Sequence, residues 1–312
     1  MAIRSMAPTA LLAGAAAFAV TTAPAAAQEL ALVQINQQAL FFTQMNAGAE
    51  AQAAERGADL VIYNANNDPA AQNNAIETYI AQEVDGLVVV AIDVNGVMPA
   101  VQAAAEAGIP VVAVDAILPD GPQIAQVGVD NEDAGRMIGQ HFLDHMAAEM
   151  GGDAKLGIVG ALNSYIQNVR QEGFESVVTN AEGVEMAGVV DGRNIQDNAM
   201  SAAENLLTAN PDMSAMYATG EPALIGAVAA VESQGRQSDV RIVGWDLSSA
   251  AIRGIDEGYV VGVVQQDPAG MGAAAVDALV DHLNGEEVPA QIDVPVTIVT
   301  RENVDDYRAI FE

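Results

Sequence analysis

Short runs of β-branched and aliphatic residues alternate along the chain with longer Ala-rich stretches that carry polar residues at helical spacing, and Gly or Pro stands at most junctions. This alternation is the βαβ pattern. It predicts strands over residues 30–35, 60–63, 86–91, 111–114, 155–159, 185–189, 215–218, 240–243 and 259–265. Helices are predicted over 41–56, 69–83, 97–107, 130–150, 168–179, 197–210 and 223–234. Gly57 follows the first helix as a common C-terminal stop, and the run over 86–91 has no polar side chain, as expected of a strand covered on both faces.

The alternation restarts near Asp130, so the fold class is α/β with two doubly wound parallel-sheet lobes. In such sheets ligands bind beyond the carboxyl ends of the strands, where the strand order reverses. The polar and aromatic residues at those ends are Asn36, Gln38, Phe41 and Phe42 after the first strand, Asp115 after the fourth, Asn163 and Tyr165, the segment 219–221, Trp245 with Asp246, and the segment 265–267. Their recurrence at separate junctions is the signal, since any one alone is an ordinary polar loop residue.

Composition narrows the function. The chain has 312 residues, 51% hydrophobic and 4% aromatic, with Lys+Arg 11 against Asp+Glu 42 and a net charge of −31. Nucleic-acid affinity rests on Lys and Arg neutralising phosphates, so no nucleic-acid partner is expected, and an anionic membrane surface is disfavoured for the same reason. Cysteine is absent, which removes disulfides, thiolate nucleophiles and Cys-based metal sites.

The start of the chain reads differently. Arg4 is the only charge before Glu29, an apolar run covers 10–20, and Ala25, Ala26 and Ala27 follow. A basic start, a short apolar centre and small residues at the exit predict an export signal over 1–27 cleaved after Ala27. The run is shorter than the roughly 20 residues a spanning helix needs.

Other motifs carry less. Gly270 and Gly272 have dinucleotide-loop spacing, yet they lie late in the chain rather than after a first strand, and read as a glycine-tolerant helix start. His141 and His145 stand four apart with Asp144 between them, but no third ligand is evident, so they read as surface histidines on a helix and no metal is expected. No nucleophile elbow, Ser-His-Asp order or phosphate loop occurs. Trp245-Asp246 admits two readings. An aromatic face with a carboxylate suits a sugar ring, while a tryptophan capping the core and an aspartate capping a helix suit it equally.

From Leu30 onward the chain resembles the exported sugar-binding proteins of the ribose-binding type, relatives of the ligand-binding part of lac repressor-type regulators. The resemblance rests on Phe41-Phe42, the segment 108–112 leading to Asp115, Val129-Asp130-Asn131, the segments 170–174 and 205–212, Val243-Gly244-Trp245-Asp246 and Gln265-Gln266-Asp267-Pro268. It implies a type I periplasmic-binding-protein fold, with lobes of 28–129 plus 267–293 and 130–266 plus 294–312. Three crossovers would lie near Val129-Asp130, Gln266-Asp267 and Asp293-Val294.

By the same resemblance Phe42 stacks on the ligand ring, Asp115 and Arg170 bind hydroxyls from opposite lobes, Trp245 fills an aromatic position, Asp246 takes further hydroxyls and Gln266 bonds from a crossover. Departures are Val90 and Gly220 in place of Asn, Ala116 in place of Arg, Asn194 where an aromatic is usual, and a longer loop over 36–40. They disfavour ribose and point to another pentose, a deoxy- or branched sugar or a small polyol, with Gln37, Gln38, Asn163 or Tyr165 supplying replacement donors. The resulting site set is Asn36, Gln38, Phe41, Phe42, Asp115, Asn163, Tyr165, Arg170, Asn194, Trp245, Asp246 and Gln266.

The expectation is a periplasmic, monomeric solute-binding protein that captures a small monosaccharide or polyol and passes it to an ABC importer permease in the inner membrane. A chemoreceptor is a second partner, and neither catalysis nor a cofactor is expected. Rival readings are the same fold binding a nucleoside or signalling molecule, and a sugar-active α/β enzyme. A regulator with these lobes would need a basic DNA-binding helix pair where the leader stands.

Overall fold

A computed structural model of the chain describes residues 27–37 and 40–311. The leader read over 1–27 lies, except for Ala27, outside the described residues, as does Gln38.

The first lobe is built from β1 (Glu29–Gln34), α1 (Leu40–Arg56), β2 (Asp59–Asn64), α2 (Pro69–Ala81), β3 (Gly86–Val89), α3 (Met98–Glu106), β4 (Val111–Val114) and β5 (Ala125–Gly128). The second takes up α4 (Asn131–Glu149), β6 (Ala154–Gly160), α5 (Tyr165–Val178), β7 (Val184–Asp191), α6 (Gln196–Ala209), β8 (Ala215–Ala218), α7 (Glu221–Ser233), β9 (Arg241–Trp245), α8 (Ser249–Glu257) and β10 (Val260–Gln265). The chain then returns to the first sheet with α9 (Pro268–Leu283) and β11 (Gln291–Asp293), and crosses again to add β12 (Thr297–Val299) and α10 (Arg308–Phe311) to the second.

The two sheets have the orders β11-β5-β4-β3-β1-β2 and β12-β10-β9-β8-β6-β7. Every pairing is parallel except that of β12, which runs antiparallel to β10. The strand order reverses beside β1 in one sheet and beside β6 in the other, and this places the crevice at the carboxyl ends of the central strands.

Burial follows the strand pleat. Leu30 and Leu32 of β1 join Met45 and Ala49 of α1 and Met271 and Leu279 of α9 on one face of the first sheet. Ala31 and Val33 join Ile76 of α2 and Val101 of α3 on the other. Gly272 of the late glycine pair has a physical reason in helix packing, while a side chain at Gly270 would meet the capping Asp267 carboxylate. A methyl group at Gly272 would lie 2.1 Å from the Met45 carbonyl oxygen, and one at Gly48 2.0 Å from that of Ala269, so α1 and α9 pack backbone against backbone.

The same device joins α4 to α5, where a methyl at Gly173 would meet the Glu132 carbonyl at 2.1 Å. His141 of α4 corrects the surface reading, because its Nε2 lies 2.9 Å from the carbonyl oxygen of Val261 on β10.

Apart from α9, of which only the glycine-tolerant start was read, the elements that periodicity passed over are short. β5, β11 and β12 have three or four residues each, and α8 makes two to three turns between the Ser248 side-chain cap and the left-handed Gly258. Windows of this length hold too few repeats to define a period.

Candidate functional site

Two aspartates occupy the same structural position in the two lobes. Asp115 follows β4 directly and Asp246 follows β9 directly, both in the left-handed region with φ 67° and 60°. The Asp115 N–H donates to the Val127 carbonyl at 2.9 Å and the Asp246 N–H to that of Val264 at 2.8 Å, so the next strand fixes each turn. Left-handed backbone costs an L-residue about 1–2 kcal/mol, and Asp is among the few non-glycine residues that adopt it routinely. Strain of this kind holds a side chain out of the sheet and toward the crevice.

Arg170, on α5, lies beside Asp246 and is itself buried. Its Nη1 is 3.7 Å from Asp246 Oδ2, its Nε donates to Asn131 Oδ1 at 2.8 Å, and its Nη1 donates to the Thr219 carbonyl at 3.4 Å. The guanidinium carbon is 3.8 Å from the centroid of the Trp245 ring. Below that ring the polar chain continues: Trp245 Nε1–H donates to the Tyr217 hydroxyl at 2.9 Å, and Tyr217 donates to the Arg170 carbonyl at 3.4 Å. The close α4–α5 packing brings Asn131 within reach of Arg170.

Between the lobes lies a cavity of about 510 Å³. Leu40, Phe41 and Gln44 line it from the start of α1, Asp115 from the end of β4, Glu221 from the first residue of α7, and Asp246 and Leu247 from the end of β9. Gln265, Gln266 and Pro268 close it along the second crossover, and Phe311 from the C-terminal helix. Among the described residues, therefore, three carboxylates line the cavity and no Lys, Arg or His does.

Burial pushes the Asp115 carboxyl up to about 6, Arg170 opposes that rise, and Asp246 adds to it. Glu221 is raised by burial and by Asp246. Arg170 is drawn below its ordinary value by burial, against the pull of Asp246, Tyr217 and Asp115.

Buried glutamines hold the strand-end loops. Gln126 of β5 accepts from the Leu118 N–H at 3.2 Å and donates to the Ala116 carbonyl at 3.1 Å, clamping the turn that carries Asp115. Gln34 accepts from the Ile35 N–H at 2.9 Å and donates to Asn46 Oδ1 at 2.9 Å, which ties the loop after β1 to α1. Gln266 donates to Asp246 Oδ1 at 2.8 Å, and Gln265 accepts from the Leu247 N–H at 2.9 Å.

Of the residues expected at the site, Phe41, Asp115, Asp246 and Gln266 line the cavity, with Arg170 directly behind Asp246. Phe42 stands edge-on to Phe41, ring centroids 5.3 Å apart, and is not part of the lining. Asn36 lies in the turn after β1.

Trp245 corrects the stacking expectation. Its ring is fully buried and one face is covered by Arg170, so it supports the site from beneath. Tyr165, 71% exposed, lines a separate groove with Ile117, Val129 and Asp293. Asn163 donates to the Arg193 carbonyl at 3.5 Å, and Asn194 accepts from Gln167 Nε2 at 2.7 Å, a link that continues to the Thr219 hydroxyl.

Sequence reasoning left out Gln44, Leu247 and Phe311, and named Glu221 only within the strand-end segment 219–221 without carrying it into the site set. Glu221 carried a usable signal, a carboxylate opening a helix right after a strand, whereas Phe311 reaches the cavity only through the path of the C-terminal crossover.

A family model described as "Periplasmic binding protein domain" matches residues 30–287. The chain is 28% identical over 295 residues to the ribose import binding protein RbsB of Escherichia coli (strain K12), covering 94% of this chain and 97% of that one. Its fold matches a periplasmic ribose ABC transporter protein from Conexibacter woesei DSM 14684 with a TM-score of 0.84 at 26% identity, over 91% of this chain and 96% of that one. It also matches an ABC transporter solute-binding protein from Bacillus halodurans C-125 with bound myo-inositol, with a TM-score of 0.74 at 26% identity, over 91% and 98%.

Proposed function

Because the chain belongs to the periplasmic binding protein domain family, we propose that it captures a small monosaccharide or polyol between its lobes and delivers it to an ABC importer. It is a binding protein and not an enzyme. One observation carries the choice of site: equivalent strand-end aspartates, one from each lobe, converge on a cavity that also presents the Phe41 ring. Carboxylates accept hydrogen bonds from adjacent hydroxyls, amide side chains donate and accept, and an aromatic face covers the C–H side of a ring. The myo-inositol bound by a structural neighbour supports including polyols.

Asp115, Asp246, Gln44, Gln265 and Gln266 hold the polar side of the ligand, Phe41 its apolar side, and Arg170 orients Asp246. Closing the lobes desolvates these groups, so a solute with the wrong hydroxyl pattern leaves buried polar atoms unpaired, at about 1–3 kcal/mol each. The lobes change at residues 129–130, 266–267 and 293–294, and these segments serve as the hinge. Export with cleavage after Ala27, a monomeric state and a chemoreceptor as second partner belong to the same proposal.

The test is a thermal-shift screen of the chain from Gln28 against pentoses, hexoses, deoxy-sugars, polyols, their amino derivatives and nucleosides. A ligand at about 100 times its Kd adds roughly 2.7 kcal/mol of stability. A shift with one or two related sugars or polyols supports the reading. A shift with a nucleoside alone overturns the substrate class and leaves the fold assignment in place.

A further inference from the structure

We infer that the solute held between the lobes carries a positively charged amine in addition to its hydroxyls. The inference rests on the cavity proposed above and specifies the chemical class it selects. Three carboxylates, Asp115, Glu221 and Asp246, line that cavity, and no cationic side chain of the described residues does. Among the described residues the cation behind the cavity wall, Arg170, is engaged there. Arg170 pairs with Asp246, donates to Asn131 and the Thr219 carbonyl, and stacks on Trp245.

Asp115 and Glu221 are left without an ion pair or a side-chain hydrogen bond among the described residues. Burial raises both carboxyls and the nearby Asp246 adds to the rise; Arg170 offsets part of it at Asp115, and no cation offsets it at Glu221.

A neutral polyol does not correct this imbalance, because closing the lobes over it buries two carboxylates that no ion pair neutralises. An ammonium does. It donates charge-assisted hydrogen bonds, which are stronger than those of a hydroxyl, and the rings of Phe41 and Phe311 offer it aromatic surface. The net charge of −31 draws a cation toward the crevice as well. An amino sugar or aminated polyol thus satisfies the hydroxyl-binding groups and the two spare carboxylates together.

The experiment is calorimetric titration of the chain from Gln28 with matched pairs: glucose and glucosamine, galactose and galactosamine, mannose and mannosamine, myo-inositol and an inosamine. The N-acetylated sugars serve as uncharged controls. The expected result is at least one amine binding about tenfold tighter than its hydroxyl counterpart and its N-acetyl form. In Glu221→Gln, and separately in Asp115→Asn, that preference falls toward parity while the thermal unfolding of the unliganded chain stays cooperative.

Neutral members binding as tightly as the amines overturn the inference and leave the sugar or polyol reading intact. A preference unchanged in both variants also overturns it. No binding by either member of any pair, with a nucleoside shifting the melting temperature, overturns the reading on which it rests.

Discussion

The guanidinium carbon of Arg170 lies over the indole of Trp245, 3.8 Å from the ring centroid, and the ring has no exposed surface. The only tryptophan of the chain therefore supports the arginine above it from within the core. Trp245→Phe keeps an aromatic face under Arg170 but removes the Nε1–H bond to the Tyr217 hydroxyl. The expected outcome is a stability loss of roughly 1–2 kcal/mol with ligand affinity little changed, read by denaturant unfolding and calorimetry. Affinity lost at unchanged stability would place the ring in ligand contact instead.

Arg170→Lys keeps the charge and loses both the planar stack and the fixed fork that reaches Asp246, Asn131 and Thr219 together. A stability loss of about 1–3 kcal/mol and weaker ligand binding are expected. Equal affinity in the variant would show that Asp246 needs no positioning from this side chain.

Asp115 makes stability depend on pH in a definite direction. Its carboxyl titrates at about 6 in the folded chain against an ordinary value of 3.8, so the folded state binds this proton more tightly than the unfolded one. The resulting penalty is absent below the unfolded value, grows as pH rises through the window between them, and is complete above the folded value. Asp115→Asn removes it and, as an amide, tolerates the left-handed turn. The unliganded variant gains up to about 3 kcal/mol at pH 7, and the gain shrinks to roughly 0.5 kcal/mol at pH 4, as urea titrations at the two pH values would read.

The same group sets the pH dependence of binding. A ligand that donates to the Asp115 carboxylate favours its ionised form, so affinity falls as pH is lowered through about 6, with proton release on binding in that window. Titrations in buffers of different ionisation enthalpy measure the released proton. In Asp115→Asn the release disappears.

Gly272→Ala tests the helix contact that carries α9 back to the first sheet. The added methyl meets the Met45 carbonyl at 2.1 Å, so the helices must separate. Overpacking of this kind costs about 1–3 kcal/mol, and a melting temperature equal to that of the parent chain would show that the contact relaxes freely.

Much of the fold was legible because both lobes repeat one unit whose periods are long enough to read. The strands β4 and β8 match their predicted spans residue for residue, since uniformly apolar four-residue runs bounded by turn residues admit little else. The helix α5 begins three residues before its predicted start, because the Ser164 side chain accepts from the Gln167 N–H and extends it into a polar stretch that carries no apolar period.

Site positions that sit directly after a strand were also legible. Asp115, Asp246 and Gln266 follow from chain order, because a parallel sheet delivers every strand end to the same edge.

Direction of approach was not legible. Tyr165 opens α5 beyond the loop after β6, and it faces a groove beside the first crossover, while Asn194 turns toward Gln167. Trp245 and Asp246 are adjacent in sequence, but Trp245 ends β9 with its ring in the core, whereas Asp246 stands in the left-handed turn after it and lines the crevice.

The sequence by itself determined the two α/β lobes and the edge on which a ligand binds, since hydrophobic period and chain order are local properties. Only the tertiary structure decided which carboxylates share one cavity and which cation is already paired. Charge balance depends on distances between residues such as Asp115, Arg170 and Glu221, which are far apart in the chain and brought together by the crossovers.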